Sequence, residues 1–571
     1  MKYNVIFMAA AVATRTSMAP TNSVTLAIPT KTMFDEGVPT DQPVVGDYTG
    51  ALRPQIHFSP PTEFMNDPNG MFVDVNGTYH LYYQYNPTAT VAGNQHWGHA
   101  TSTDLYHWVN QKIAIFATED SQIFSGSCVI DTNNTSGFFP GQDNGVVAIY
   151  TLNTATAQTQ EIAWSVDGGY TFEKYEGNPV LALDPPSSQF RDPKVVRYDD
   201  HWVMVLAYAQ EFAIGIFTSP DLKSWTHASN FSHHGLLGLQ YECPNLVEMP
   251  VEGGDPMWVM AISINPGAPL GGSITEYFPG EFNGTHFTAI DAAARLTDFS
   301  KDNYAGQFFY GIPPTEEQIY IGWASNWEYS QAVPTGQLEG WRSSMTVPRR
   351  THIANVTRVG INMMDMPYNI EAVLDAPLAT NSSLGNGTVF VDYSSLNSGA
   401  IWFQVNVTGL PNNTATPSRQ GTLNFTFSAS STRESVSGGF YFGGDNPFWM
   451  NRGDIYGFGN TDPFFTDKFS VGNPINANGT FTLDGIIDRS ILEAFIDNGR
   501  SVGTMTFFPQ GMLDTMVLRT NGLNDGVEVS VAVWGLKSAW AEEANDEGVV
   551  EGNVTMSSNN PTMDRRHAKL Y

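Results

Sequence analysis

Apolar and polar residues alternate in short runs along most of this chain. Residues 78–85 (TYHLYYQY), 201–207 (HWVMVLA) and 318–323 (QIYIGW) have the period-two pattern of strands and are bounded by Gly, Asn, Pro or Asp. Helical periodicity is scarce, so an all-β fold is expected. A polar turn ending in an aromatic residue recurs at intervals of roughly 60 residues. The copies are 102–108 (STDLYHW), 165–172 (SVDGGYTF), 219–225 (SPDLKSW) and the looser 280–287 (GEFNGTHF). A turn of this kind between short strands is what one blade of a β-propeller offers its neighbour. Beyond about residue 350 the texture changes. Runs such as 401–407 (IWFQVNV), 423–427 (LNFTF) and 527–533 (VEVSVAV) alternate more regularly and predict a β-sandwich. The expected organisation is a propeller over 51–357, a linker over 358–386 with a short helix near Ile370 to Leu374, a sandwich over 387–540, and a disordered tail over 541–571.

Three carboxylates stand in proline-punctuated runs. In 64–70 (FMNDPNG) Pro68 fixes its own φ, and Asn69 and Gly70 tolerate left-handed geometry, so Asp67 is expected in a rigid turn just before a strand. Asp192 lies in FRDP and Glu242 in YECP. Inner strands of a propeller converge on its axis, which would bring these distant carboxylates together at one end of the central channel.

Composition narrows the partners. With 27 Lys and Arg against 57 Asp and Glu the net charge is −30, and no basic stripe offsets it, which excludes a nucleic-acid partner. Lys2, an apolar stretch from Val5 to Ala13 and the small residues Ala11-Val12-Ala13 read as a signal peptide over 1–13, followed by an N-terminal extension over 14–50. No later apolar run reaches the roughly 20 residues of a membrane span, so no membrane association is expected. Glycosylation sequons at Asn76, Asn134, Asn230, Asn283, Asn355, Asn386, Asn406, Asn424 and Asn478 agree with secretion to the cell exterior or wall. Cys128 and Cys243 are the only cysteines, too few for a disulfide framework, and are read as buried free thiols.

The ordered motifs FMNDPNG, WGHA (97–100), FSGS (124–127), FRDPK (190–194), YECP, WASNWEY (323–329) and DRSILEAF (488–495) resemble glycoside hydrolase family 32, the invertases, inulinases and levanases. The resemblance spans about residues 53 to 540 and implies a five-bladed β-propeller followed by a β-sandwich. It also implies retaining hydrolysis of β-fructofuranosides by two carboxyls about 5 Å apart, with no cofactor and no metal. By position Asp67 matches the nucleophile, Glu242 the acid/base and Asp192 the transition-state stabiliser. Asn66, Gln84, Trp97, Phe124, Ser125, Arg191 and Trp323 match residues of the sugar subsite. Trp97 and Trp323 have a second reading as inter-blade core, and Asn66 as a shaper of the turn.

WASNWEY with WRSSM (341–345) looks more like the yeast-type invertases, making sucrose the first expected substrate and inulin or levan the alternative. A catalytically inactive sugar-binding propeller is disfavoured because all three carboxylates are present. A calcium site built from them is disfavoured because hard cations gather more oxygens. Homo-oligomers occur among yeast-type relatives. The family commonly has Trp where this chain has Phe64 and Ala92; both positions are expected at the rim of the pocket, where their loss would favour fructosyl transfer to sugars at high sucrose.

Overall fold

The computed structural model describes residues 37–411, 421–443, 446–459 and 461–540. The expected signal peptide, the extension up to residue 36 and the tail lie outside them. Five antiparallel sheets fill the first part of the chain, spanning 63–110, 121–174, 190–232, 241–296 and 304–367. Their innermost strands are Glu63–Val73, Ser121–Ile130, Phe190–Tyr198, Tyr241–Met249 and Tyr304–Phe308, each packed on the next, with the fifth returning to the first. The ring is closed by Trp341–Arg342, which pairs in parallel with Glu63 and Phe64 of the first blade. This is the five-bladed propeller that the motifs implied.

The recurring turn joins the third and fourth strands of the first four blades. Its chemistry explains the repeat. Asp104 Oδ1 accepts the amides of Tyr106 and His107, Asp167 Oδ1 those of Tyr170 and Thr171, and Asp221 Oδ1 those of Lys223 and Ser224. Each Asp also accepts the hydroxyl of the serine two residues before it. Asn283 does the same work in the fourth copy, accepting the amides of Thr285 and His286. These are Asx turns, which tie the chain reversal locally and leave the aromatic residue free to pack between sheets.

Two six-stranded sheets form the sandwich. Phe403, Phe425, Phe427, Phe440, Phe448 and Phe481 interdigitate between them, all fully buried. Residues 358–386 are not a free connector. Gly360–Pro367 is the outer strand of the fifth blade, Ile370–Val373 is one turn of 3-10 helix, and Leu374–Asn381 pairs with Glu528–Leu536 in the sandwich. Asp365 in the first of these strands is buried, with the Thr351 hydroxyl donating to it at 2.6 Å.

DRSILEAF proves to be the joint between domains. Asp488 accepts the amides of Gln55, Ile56 and His57, while Glu493 accepts the amide of Val347 and the guanidinium of Arg349. His57 lies between them, 2.8 Å from Asp488 and 3.1 Å from Glu493, with all three side chains shut off from solvent.

Candidate active site

All five inner strands lose register near their starts. The shifts fall between Met65 and Pro68, Ile123 and Gly126, Arg191 and Lys194, Glu242 and Asn245, and Tyr304 and Gln307. A β-bulge re-aims side chains, and prolines are tolerated in a sheet at such places. That is why Pro68, Pro193 and Pro244 follow residues of the site. Asp192, Cys243 and Ala305 adopt positive φ of 68°, 44° and 50°. Asp67 therefore stands on a bulged strand and not in a turn ahead of one, as the proline-rich run had suggested. Gly70, at φ 52°, continues the strand where a Cβ would come within 2.9 Å of Cys128, Tyr82 and Trp97.

The bulges surround a cavity of about 230 Å³ lined by Asp67, Asp192 and Glu242. Asp67 accepts the Ser125 hydroxyl at 2.7 Å and the Asn66 amide at 3.1 Å. Asn66 is itself held by Gln95 Nε2 at 2.6 Å. Arg191 donates to Glu242 Oε1 from Nη2 at 2.9 Å and from Nε at 3.3 Å, and its Nε is 3.8 Å from Asp192. Gln189 and Gln240 hold the same guanidinium, each at 2.9 Å. The other oxygen of Glu242 accepts the hydroxyl of Tyr304, a fully buried residue.

Burial raises the Asp67 carboxyl above its ordinary value, opposed by the bonds from Ser125 and Asn66 and reinforced by Glu242. Asp192 is pushed up to about 7, first by burial and then by Glu242 and Asp67, with Arg191 pulling the other way. Burial and mutual crowding thus favour the protonated forms of Asp67 and Asp192, against the pull of Arg191 on Asp192.

Gln84, Phe124, Ser125, Asn66 and Arg191 line the cavity. Gln84 is buried and its Nε2 has no partner among the described residues, which leaves a donor for a bound hydroxyl. Trp97 and Trp323 do not reach the cavity wall. Both are fully buried, Trp97 donating to the Phe124 carbonyl at 3.1 Å, so their positions match the inter-blade core reading. The tryptophan on the cavity wall is the half-buried Trp327, with Trp323 packed behind it at 4.8 Å and Phe64 at 6.2 Å between ring centroids. Phe64 is thus a support and not part of the rim, whereas Ala92 does line the mouth. Sequence reasoning missed Tyr304, Gln95, Gln122, Asn265 and Trp327. Of these only Trp327 lay inside a recognised motif.

Residues 57–363 match the model for the glycosyl hydrolases family 32 N-terminal domain, and residues 400–535 match that for the family's C terminal domain. The chain belongs to glycosyl hydrolase family 32. Invertase 2 of Saccharomyces cerevisiae is 43% identical over 484 residues, covering 80% of this chain and 89% of the yeast protein. An extracellular exo-inulinase of Meyerozyma guilliermondii is 41% identical, covering 84% of this chain and 94% of its own. Among solved structures, the fructofuranosidase of Schwanniomyces occidentalis complexed with fructose superposes with a TM-score of 0.78 at 37% identity, covering 86% of this chain and 99% of that one.

Proposed function

We propose that this family 32 hydrolase is a retaining β-fructofuranosidase acting chiefly on sucrose. The observation that carries the reading is the convergence of Asp67, Asp192 and Glu242 on one cavity with Arg191 holding Glu242. Asp67 attacks C2 of the fructosyl unit while Glu242 gives its proton to the departing glycosidic oxygen, releasing glucose and leaving a covalent fructosyl ester. Glu242, now a carboxylate, takes a proton from water, which attacks C2 and returns Asp67 as a carboxylate. Asp192 accepts the Cys243 amide at 3.0 Å, which fixes it as an oriented partner for sugar hydroxyls and for the positive charge that develops on the ring. Gln84 and Asn66 complete the hydroxyl contacts, and Phe124 and Trp327 the apolar wall.

Exo-inulinase action is the second reading, favoured by the exo-inulinase relative at nearly the same identity as the invertase. Ala92 at the mouth also leaves room for a second sugar as acceptor, so transfer to fructo-oligosaccharides accompanies hydrolysis in this proposal. Export with N-glycans is part of the same reading, since the named sequon asparagines stand exposed or half-exposed. One experiment tests the whole: incubation with sucrose and with inulin, resolving glucose, fructose, oligosaccharides and the anomer of fructose first released. Faster release from inulin would favour the second reading, and inversion of the anomer would overturn the nucleophile.

A further inference from the structure

A second cavity of about 310 Å³ opens at the other end of the inner strands of the third, fourth and fifth blades. It shares no residue with the catalytic cavity. Its walls are largely apolar, built from residues such as Leu246, Val247, Phe308 and Ile312, yet two basic side chains, Lys194 and Arg197, belong to its lining. Lys194 is only 4% exposed, and its Nζ has a single acceptor among the described residues, the Phe308 carbonyl at 2.7 Å. Arg197 stacks on Trp202 at 5.0 Å, and its Nη1 is shielded from solvent without a hydrogen-bond acceptor among the described residues. A desolvated guanidinium nitrogen left unpaired is costly, so an acceptor brought against it would be held.

The geometry points to a binding site for a small organic anion, with one carboxylate paired to Arg197 and Lys194 and an apolar body against Leu246, Phe308 and Ile312. Charge complementarity carries this choice. Arg197, and Lys194 once an anion beside it offsets the burial that lowers its ammonium to about 7, face one carboxylate, Glu248. A neutral sugar fits less well, because it would want a free aromatic face, and Trp258 already packs against Tyr198 and Phe282 at 5.9 and 5.2 Å. The inference does not depend on which fructoside the catalytic cavity cleaves.

Titration calorimetry of the full chain with sodium benzoate, run with saturating fructose in the catalytic cavity, tests it. One saturable site of millimolar affinity is expected, with the neutral isostere benzyl alcohol bound at least about tenfold more weakly. Arg197→Gln should weaken benzoate about tenfold, and Glu248→Gln should tighten it severalfold by removing the opposing charge. Turnover of sucrose should be unchanged in both variants. No saturation by about 50 mM, displacement by fructose, equal binding of benzyl alcohol, or indifference of the affinity to both substitutions would each overturn the proposal.

Discussion

The Cys243 thiol lies 3.3 Å from Asp67 Oδ2 and 3.6 Å from Asp192 Oδ2, so one small side chain bridges the carboxylates of the first and third blades. The contact exists because the bulge after Glu242 turns the Cys243 amide toward Asp192 and its sulfur toward Asp67. Burial and then the neighbouring carboxylates Asp192, Asp67 and Glu242 push the thiol well above its usual range, which keeps it protonated and able to donate.

Loss of each proposed catalytic carboxyl should leave a distinct signature. Asp67→Asn keeps the shape and the bond from Ser125 but removes the nucleophile, so fructosyl-enzyme formation and turnover should vanish with thermal stability preserved. Glu242→Ala should slow sucrose hydrolysis by about 10²–10⁴-fold while sparing fructosides with good leaving groups. Equal losses on both substrate types would remove Glu242 from the acid role.

Asp192 should show the cost of crowding. Its carboxyl holds a proton up to about pH 7 when folded, against an ordinary value of 3.8. That stabilising term is fully present below the ordinary value and is lost as pH rises through 7. The largest such loss is about 4 kcal/mol. Asp192→Asn should therefore raise Tm at pH 8, close the gap to wild type at pH 4, and still abolish most activity. A Tm difference independent of pH would show that the repulsion among the three carboxyls is relieved by other means.

At the centre of the interdomain joint the contribution is lost in the same direction as for Asp192 but at higher pH, while the flanking carboxylates run the other way. His57 is raised to about 9 by Asp488 and Glu493 against the effect of burial, and both carboxyls are held low. The His57 contribution is fully present below its unfolded value of 6.5 and is lost as pH rises through 9, whereas those of Asp488 and Glu493 are lost as pH falls below the carboxylate range. Breaking a buried pair typically costs about 3–5 kcal/mol. His57→Ala should lower Tm strongly at pH 6 and much less at pH 10, measured by calorimetry; an equal drop at both would mean that the imidazole is neutral.

Much of this molecule was legible in its sequence because its devices are local. The Asx turns at Asp104, Asp167 and Asp221 are written within a few residues each, and they betrayed the blade repeat. The proline after Asp67, Asp192 and Cys243 marked the places where the strands break register, although a bulge and a turn look alike in one dimension. What stayed hidden depends on depth. Nothing in the pattern around Trp97 and Trp323 says that they lie one layer behind the cavity, or that Trp327 takes the place on its wall. Tyr304 reaches Glu242 only through the closure of the fifth blade on the fourth, a contact made across 62 residues.

The rim yields the sharpest test of fructosyl transfer. Once the covalent ester has formed, water and a second sugar compete for C2, and the ratio of products follows how well the acceptor is seated. Ala92 lines the mouth and its amide is tied to Gln331 at 3.0 Å, so the loop is held in place while its small side chain leaves the entrance wide. Ala92→Trp should fill that space and lower the transfer-to-hydrolysis ratio severalfold at fixed high sucrose, with little change in hydrolysis at low sucrose. Phe64 stands behind Trp327, fully buried, so Phe64→Trp can act only by displacing that ring and should cost stability through overpacking, about 1–3 kcal/mol. The two substitutions should therefore separate: the ratio moves with residue 92 and Tm moves with residue 64. An unchanged ratio in Ala92→Trp, with Tm intact, would place the acceptor elsewhere on the rim.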